Sequence, residues 1–321
     1  MIPRVEFATL RESKIRLLQQ SVEKVIKGKS EVVELALMTL LARGHLLIED
    51  VPGVGKTTLA HALARSFDGM FHRVQFTSDL LPSDLTGVSV FDLAERRFEF
   101  HKGPLFANVI LADEINRSLP KTQSGLLEAM NECQVTVDDR TYPLPQPFVI
   151  IATQNPIEHH GTYPLPVSQL DRFLMRIRMG YPSAEDEKQI VRKQIGHATV
   201  EELTPIVTAE DILDAQRLVA QVKVKDLLVD YIMALVEATR RSEWLSLGVS
   251  TRGALVLYRA AQACAFLQGR DYCVPDDVKR LVVPVFSHRI VVSAKYSSPL
   301  PKREQAESVI RTLAEEVEVP L

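Results

Sequence analysis

The chain has 321 residues, with 38 basic and 41 acidic side chains and a formal net charge of −3. This length favours two domains, and the near-neutral charge excludes a protein whose whole surface is basic, as general phosphate-backbone binding requires. Three cysteines without C-x-x-C spacing indicate buried thiols in a reducing compartment, and not a disulfide framework or a zinc site. The charge-mixed N-terminus and the short apolar runs contain no export signal or membrane span, so we expect a cytoplasmic protein.

The first 43 residues predict two helices, over about 4–43, with a break at Lys27, Gly28 and Lys29. Apolar residues recur at helical spacing on both sides of this break. The two helices therefore precede the first strand of the chain directly.

Residues 45–58, HLLIEDVPGVGKTT, predict a buried strand, a glycine-rich loop and the start of a helix. Glycine geometry and a helix N-terminus together turn backbone N–H groups toward a polyphosphate. Lys56 then reaches the β- and γ-phosphates, and the Thr57 hydroxyl binds magnesium. The phosphate-binding residues predicted here are Pro52, Gly53, Val54, Gly55, Lys56, Thr57 and Thr58.

Position 50 departs from the general pattern G-x-x-x-x-G-K-[ST], which has glycine where this chain has Asp50. A carboxylate at this point must turn away from the phosphates or meet a cation.

Further apolar runs at 74–76, 109–112, 148–152 and 174–177, with helical segments between several of them, predict a parallel sheet covered by helices on both faces. Ligands bind such a sheet beyond the carboxyl ends of its strands. Residues that directly follow each run are therefore the candidates for chemistry.

Two segments interrupt the alternation of strands and helices and predict inserted hairpins. One pairs residues 88–91 with 97–100, and the other pairs 134–137 with 140–142 around the turn residues Asp138 and Asp139.

The pattern becomes helical near Pro182, which predicts a nucleotide-binding domain over 1–181 and a small all-α lid over 182–321. Capping signals at Ser183, Thr208 and Pro275 support this reading. The predicted lid helices are 183–195, 209–220, 225–241, 251–268, 275–282 and 303–316.

Polar residues follow two of the predicted strands. Asp113 and Glu114 end the run NVILADE, where the first carboxylate would hold the water shell of Mg²⁺ and the second would polarise the attacking water. Asn155 follows the next strand and is placed to contact the γ-phosphate or that water. Helix capping by the acidic pair, or a turn asparagine before Pro156, are the structural alternatives.

The segments EDVPGVGKT, ADEINR, ATQNP, GTYPLPVSQLDRF and LGVSTRG together resemble the MoxR family of AAA+ ATPases. The resemblance spans nearly the whole chain and includes the aspartate at position 50. It implies an α/β P-loop NTPase fold with a helical lid, assembled as a ring, commonly a hexamer, with ATP and Mg²⁺ between neighbouring subunits. In these terms Lys56 and Thr57 belong to Walker A, Asp113 and Glu114 to Walker B, and Asn155 to sensor 1.

The resemblance also implies roles for arginines. Arg172 is similar to an arginine finger supplied in trans, although an Asp171–Arg172 pair capping a helix is the alternative, and Arg117 is a competing finger. Arg252 resembles sensor 2, which reaches from the lid to the γ-phosphate of its own subunit.

Val25, Ile26 and Gly28 line the adenine pocket by the same resemblance, although plain packing between a helix and a turn would give the same pattern.

The motifs predict hydrolysis of ATP. The resemblance implies a ring that remodels or matures client proteins, with proteins that carry von Willebrand factor A domains as candidate partners. A DNA-directed motor with inserted hairpins and a nucleotide-gated scaffold with little turnover are the two alternatives. Arg96, Arg97 and Arg140 give the hairpins little basic charge, so nucleic acid is not an expected partner.

Overall fold

A computed structural model of the chain describes residues 14–156, 161–193, 200–295 and 299–320. Two helices, α1 (Arg16–Val25) and α2 (Ser30–Leu41), precede the first strand, as predicted. The start of the first predicted helix lies outside the described residues.

A five-stranded parallel sheet forms the centre of the part of the chain before residue 181, where the second, fifth, eighth, first and ninth strands of the chain lie side by side in that order. Each strand overlaps one of the apolar runs in the sequence, so the predicted parallel sheet is confirmed, although the second strand begins at Phe71, three residues before its run. The strands are β1 (Leu46–Glu49), β2 (Phe71–Gln75), β5 (Val109–Asp113), β8 (Val149–Gln154) and β9 (Met175–Ile177).

Helices cover both faces of the sheet because alternate residues of each buried strand point to opposite sides. Leu46 and Ile48 belong to one apolar core, which also contains residues of α1, α2 and the lid helices. Leu47 belongs to a second core on the other face. The helices of the sheet region are α3 (Lys56–Ser66), α4 (Pro82–Thr86), α5 (Pro120–Glu132) and α6 (Val167–Leu170).

Both predicted hairpins are present as antiparallel pairs, β3 (Gly87–Asp92) with β4 (Arg97–Lys102) and β6 (Gln134–Val137) with β7 (Arg140–Pro143). The two hairpins also contact each other. The rings of Phe100 and Tyr142 stack with centroids 4.2 Å apart, and Ser89 Oγ donates a hydrogen bond to Asp138 Oδ2 at 2.8 Å.

The region after residue 181 is helical, as predicted, and its helices pack against the sheet region through the core that contains Leu46. The boundary at residues 181 and 182 stays a prediction. The described lid helices are α7 (Ala184–Lys193), α8 (Ala209–Val219), α9 (Asp226–Arg241), α10 (Thr251–Leu267), α11 (Pro275–Phe286) and α12 (Lys302–Glu316).

The lid differs from its sequence prediction in two details. Strands β10 (Leu245–Leu247) and β11 (Val291–Val292) form a short antiparallel ribbon, which is too short to leave a periodic signal. Helix α11 continues past the predicted end to Phe286 and includes Pro284. Among the described residues, no helix is long and apolar enough to cross a bilayer.

The buried imidazole of His45 fixes the amino-terminal edge of the sheet. Its Nδ1 accepts a hydrogen bond from the Ile150 N–H at 3.0 Å, and its Nε2 donates to the Met130 carbonyl at 2.9 Å. The neutral ring therefore joins the start of β1 to β8 and to the last turn of α5. Burial lowers the pKa of His45 from 6.5 to about 4, since the charged ring would lose its water.

This buried histidine predicts a loss of stability in mild acid. Below its usual pKa the unfolded chain binds a proton that the folded chain does not, so the free energy of unfolding falls as the pH falls toward 4. Between about pH 7.5 and about pH 5.5 we expect His45 to account for a loss of about 1.4 kcal/mol.

Urea denaturation gives the free energy of unfolding of wild type and of His45→Asn at the two pH values. The decrease between the two pH values should be larger in wild type, and the difference is the contribution of His45. His101→Asn, a change at an exposed residue of β4, is the matched control and should keep the wild-type pH dependence. Equal pH dependence in wild type and His45→Asn would contradict the assignment.

Candidate active site

The glycine-rich loop between β1 and α3 has the backbone geometry of a phosphate cradle. Gly53 (φ 84°) and Gly55 (φ 95°) adopt the left-handed conformation that side chains disfavour. A Cβ on Gly53 would meet nothing within 4 Å, so the backbone conformation, and not a lack of space, requires glycine there. Gly55 precedes the first turn of α3, so free N–H groups of the helix N-terminus face the loop.

Lys56 in this loop donates a hydrogen bond from Nζ to the Asp50 carbonyl at 2.6 Å. Burial lowers the pKa of Lys56, while the carboxylates of Asp113, Asp50 and Glu114 oppose that shift. The lysine is therefore a half-buried cation that faces the acidic residues of the site.

The carboxylate of Asp50 turns away from the loop, one of the two alternatives that the sequence left open. Its Oδ1 accepts the Val51 N–H at 2.8 Å, and its Oδ2 accepts the N–H groups of Met179 (2.8 Å) and Gly180 (2.6 Å). Backbone amides thus take the place of a cation at this buried carboxylate.

Asp113 ends β5 and is held by two neighbouring strands. Its Oδ1 accepts a hydrogen bond from Thr153 Oγ1 of β8 at 2.6 Å, and its Oδ2 binds Arg73 of β2 at 2.7 Å. The sequence analysis missed both partners. Arg73 and Gln75 are two positions apart in β2, so both point to the same face of the sheet. This spacing was the signal in the sequence that could have identified Arg73.

Glu114 lies one residue beyond β5 in the left-handed conformation, with φ 57°. Gln75 Nε2 donates to its carboxylate at 2.9 Å, and Arg117 Nη1 contacts the same oxygen at 3.2 Å. Arg117, the competing finger, therefore contacts the glutamate of its own chain.

One cleft of about 390 Å³ brings most of the predicted site together. Val54, also predicted here, is buried in the apolar core behind the loop. The cleft is lined by Pro52, Gly53, Gly55, Lys56, Thr57, Thr58, Arg73, Gln75, Asp113, Glu114 and Asn155.

The oxygens of Thr57 and Asp113 are the kind of ligand that Mg²⁺ prefers, and Mg²⁺ commonly combines one or two protein ligands with phosphate oxygens and water. Among the described residues no group of three or more His, Cys, Asp or Glu side chains is arranged to hold a metal ion. The residues present therefore fit a magnesium ion that arrives with a nucleotide.

The predicted adenine-pocket residues lie beside the segment that leads to the lid. Ile26 is buried, and a Cβ on Gly28 would come within 2.1 Å of the Asp186 carboxylate at the start of α7. Lys29 Nζ also donates to the Tyr181 carbonyl at 2.6 Å. Val25, Ile26 and Gly28 do not line the 390 Å³ cleft, and their contact with adenine stays a prediction.

Arg172 and Arg252 lie at the opposite, amino-terminal edge of the sheet. Arg172 Nη1 donates to the Leu127 carbonyl at 2.6 Å, and Arg252 Nη2 donates to Asn131 Oδ1 at 2.7 Å. Leu127 and Asn131 are one turn apart in α5, which ends beside the start of β1. The structure does not bring Arg252 to its own phosphate loop, so the predicted sensor 2 role within one subunit would require the lid to move.

The comparisons with known proteins agree with this geometry. The sequence pattern of the ATPase family associated with various cellular activities (AAA) matches residues 45–175, and that of the AAA lid domain matches residues 237–313. The chain is 42% identical over 281 residues to the chaperone MoxR1 of Mycobacterium tuberculosis, covering 85% of this chain and 74% of that protein. The chain belongs to the MoxR family of AAA+ ATPases.

Two further relatives match over nearly their full length. The uncharacterized protein YeaC of Bacillus subtilis is 47% identical over 304 residues, covering 94% of this chain and 93% of that one. The crystal structure of a presumed ATPase from Cytophaga hutchinsonii superimposes with a TM-score of 0.90 at 38% identity, covering 99% and 98% of the two chains. The MoxR-family chain is thus an ATPase with the AAA+ fold and a helical lid.

In this MoxR-family chain a buried arginine, which the sequence analysis missed, joins the lid to the segment before β9. Arg289 Nε donates to Asp171 Oδ1 at 2.8 Å, and its Nη groups donate to the carbonyls of Phe173, Leu174 and Val285. Burial lowers the pKa of Arg289 to about 10, although Asp171 opposes the shift. Asp171 therefore pairs with Arg289 and not with Arg172. Asp171 is nevertheless the C-cap residue of α6, so the helix-capping alternative for this pair stays open.

We expect Arg289→Met to lower the free energy of unfolding by about 3–5 kcal/mol, because it leaves the Asp171 carboxylate without its buried cation and removes a donor from several carbonyls. Urea denaturation measures the change. Arg217→Met is the control, since the pairs of Arg217 with Glu210 and Asp214 are exposed to solvent and contribute little to stability. Equal losses in the two variants would show that the buried contacts of Arg289 contribute little.

Proposed function

We propose that this MoxR-family ATPase hydrolyses ATP with Mg²⁺ at the interfaces of a ring, commonly a hexamer, and uses the cycle to remodel or mature client proteins. The observation that carries the proposal is the separation of the charged groups. The phosphate loop and acidic pair lie at one edge of the sheet, and the two predicted arginines lie at the other.

The roles of the cleft residues follow from their positions. Lys56 and the N–H groups of the loop bind the β- and γ-phosphates, and Thr57 with Asp113 would hold Mg²⁺, which neutralises phosphate charge when bound. Glu114 polarises the attacking water and accepts its proton, while Asn155 positions that water or the γ-phosphate.

Binding of nucleotide requires several hydrogen bonds of the cleft to exchange. Lys56 has to leave the Asp50 carbonyl to reach the phosphates, and Arg73 would have to release Asp113 Oδ2 for that oxygen to hold Mg²⁺. Glu114 likewise has to part from Gln75 or Arg117 to reach water.

Each subunit would complete the cleft of its neighbour with both arginines. Arg172 and Arg252 contact carbonyl and amide oxygens one turn apart along α5, so they share one surface at the edge opposite the cleft. This arrangement supports a proposal in which the trans finger becomes a pair and Arg252 acts on the neighbouring subunit instead of its own.

Exposed apolar side chains on the first hairpin support a polypeptide client over DNA. Leu93 is 83% exposed and Phe98 69% exposed at the tip of β3 and β4. Apolar surface of this kind marks contacts with protein, whereas DNA binding requires basic residues. By family resemblance, proteins with von Willebrand factor A domains are the clients to test first.

We expect Glu114→Gln to lower kcat by about 10² to 10⁴-fold, because the amide cannot accept the proton of the attacking water. Binding of a fluorescent ATP analogue should stay within a few-fold of wild type. Steady-state phosphate release is the measurement, and Glu132→Gln, a change at an exposed residue at the end of α5, is the control. Turnover that is equally slow in wild type and Glu114→Gln would favour the nucleotide-gated scaffold.

We expect Arg172→Ala to lower kcat by about 10³ to 10⁵-fold, as loss of an arginine finger does. Mixing this variant with Glu114→Gln tests the trans arrangement, since each variant is inactive alone. In mixed rings the intact Arg172 of one subunit faces the intact Glu114 of the next, so phosphate release should return in part.

Arg252→Ala, mixed with Glu114→Gln in the same way, should also regain activity. If a mixture recovers no activity although its two variants assemble into common rings, the arginine that was changed in that mixture acts within its own subunit.

A further inference from the structure

Asp50 joins the phosphate loop to the segment that leads into the lid. It directly follows β1, and its N–H continues the ladder to the Gln154 carbonyl of β8 at 3.1 Å. Its buried carboxylate accepts the N–H groups of Met179 and Gly180, two consecutive residues beyond β9. One side chain therefore fixes the backbone at the point where the chain leaves the sheet.

The same residue also contacts the phosphate-binding lysine. Lys56 Nζ donates to the Asp50 carbonyl at 2.6 Å, and this hydrogen bond has to break when Lys56 turns to the phosphates. Nucleotide binding thus breaks a hydrogen bond at the Asp50 carbonyl, and the side chain of the same residue binds the N–H groups of Met179 and Gly180.

The residues after Gly180 belong to the connection with the lid. Gly180 has a φ of 65°, and the next residue, Tyr181, accepts a hydrogen bond from Lys29. Helix α7 begins at Ala184. The Met179 side chain also lies 3.7 Å from the position that a Cβ on Gly55 would take, so the linker and the phosphate loop are in direct proximity.

We propose that Asp50 is a positioning residue that transmits nucleotide occupancy from the phosphate loop to the lid linker at Met179 and Gly180. The inference rests on the proposed function, since it requires nucleotide to displace Lys56. It also explains why a carboxylate replaces the glycine of the general loop pattern, because glycine has no side chain to accept the two linker amides.

Amide hydrogen exchange at Met179 and Gly180, measured on the full-length protein with and without a non-hydrolysable ATP analogue and Mg²⁺, tests the proposal. In wild type we expect nucleotide to change the exchange rate of these amides by roughly 2- to 30-fold, the range of typical coupling between sites. In Asp50→Ala the two amides lose their acceptor, so each should exchange fast and at the same rate with and without nucleotide. The analogue should still bind.

Glu49→Gln is the matched control. Glu49 is the neighbouring carboxylate, and it contacts Arg303 of the lid helix α12 at 3.0 Å and Arg176 of β9 at 3.3 Å, whereas the two linker amides hydrogen-bond to Asp50. This variant weakens a contact between sheet and lid without touching the proposed connection, so the nucleotide response of the linker amides should persist.

Asp50→Asn gives an intermediate case that keeps the proposal testable if Asp50→Ala does not fold. The amide oxygen can still accept the linker N–H groups, but the NH₂ group then faces the Val51 N–H, which leaves one donor unpaired. The nucleotide response should therefore fall between those of wild type and Asp50→Ala.

A wild-type nucleotide response in Asp50→Ala or Asp50→Asn would overturn the inference, and so would its loss in Glu49→Gln. If wild type hydrolyses ATP but its linker amides do not respond to nucleotide, the inference is wrong and the proposed function stands. If wild type does not bind the analogue at all, the proposed function fails first.

Discussion

Parallel pairing of β1 with β8 on one side and β9 on the other is the constraint on which the site depends. Because every strand of the sheet runs the same way, all the carboxyl ends meet at one edge. The phosphate loop after β1, the acidic pair after β5 and Asn155 after β8 therefore converge, although they are separated by many residues in sequence. The hydrogen bond from Thr153 to Asp113 fixes this convergence across two adjacent strands.

The amino-terminal edge of the same sheet has a different composition. His45 is held there as a neutral ring, and Arg289 joins the lid to the segment before β9 through Asp171. Asp171 also accepts a hydrogen bond from Ser250, the N-cap of the helix that carries Arg252. One carboxylate thus fixes the backbone next to Arg172 and the start of α10, so the two arginines are held in a defined relation to each other.

The sequence predicted what local pattern determines. Apolar runs identified the five strands, turn residues identified both hairpins, and the loop pattern with the acidic pair identified the cleft. Contacts between distant residues left no such signal. The partner amides of Asp50 are about 130 positions away in the chain, and the strand that pairs with β10 comes more than 40 residues later. Burial of a charged residue such as Arg289 is equally invisible in the sequence, because an arginine side chain usually lies at the surface.

The charges of the cleft show why binding of a nucleotide calls for further cations. Three carboxylates, those of Asp50, Asp113 and Glu114, lie near Lys56, and Arg73 and Arg117 pair with the last two. Opposite charges in a half-buried cleft stabilise one another. A nucleoside triphosphate brings more negative charge than one divalent cation cancels, and the transition state spreads that charge over the γ-phosphate oxygens. Within one subunit Arg172 and Arg252 are held at the far edge of the sheet, so under the proposed function these two cations reach the γ-phosphate from a neighbouring subunit.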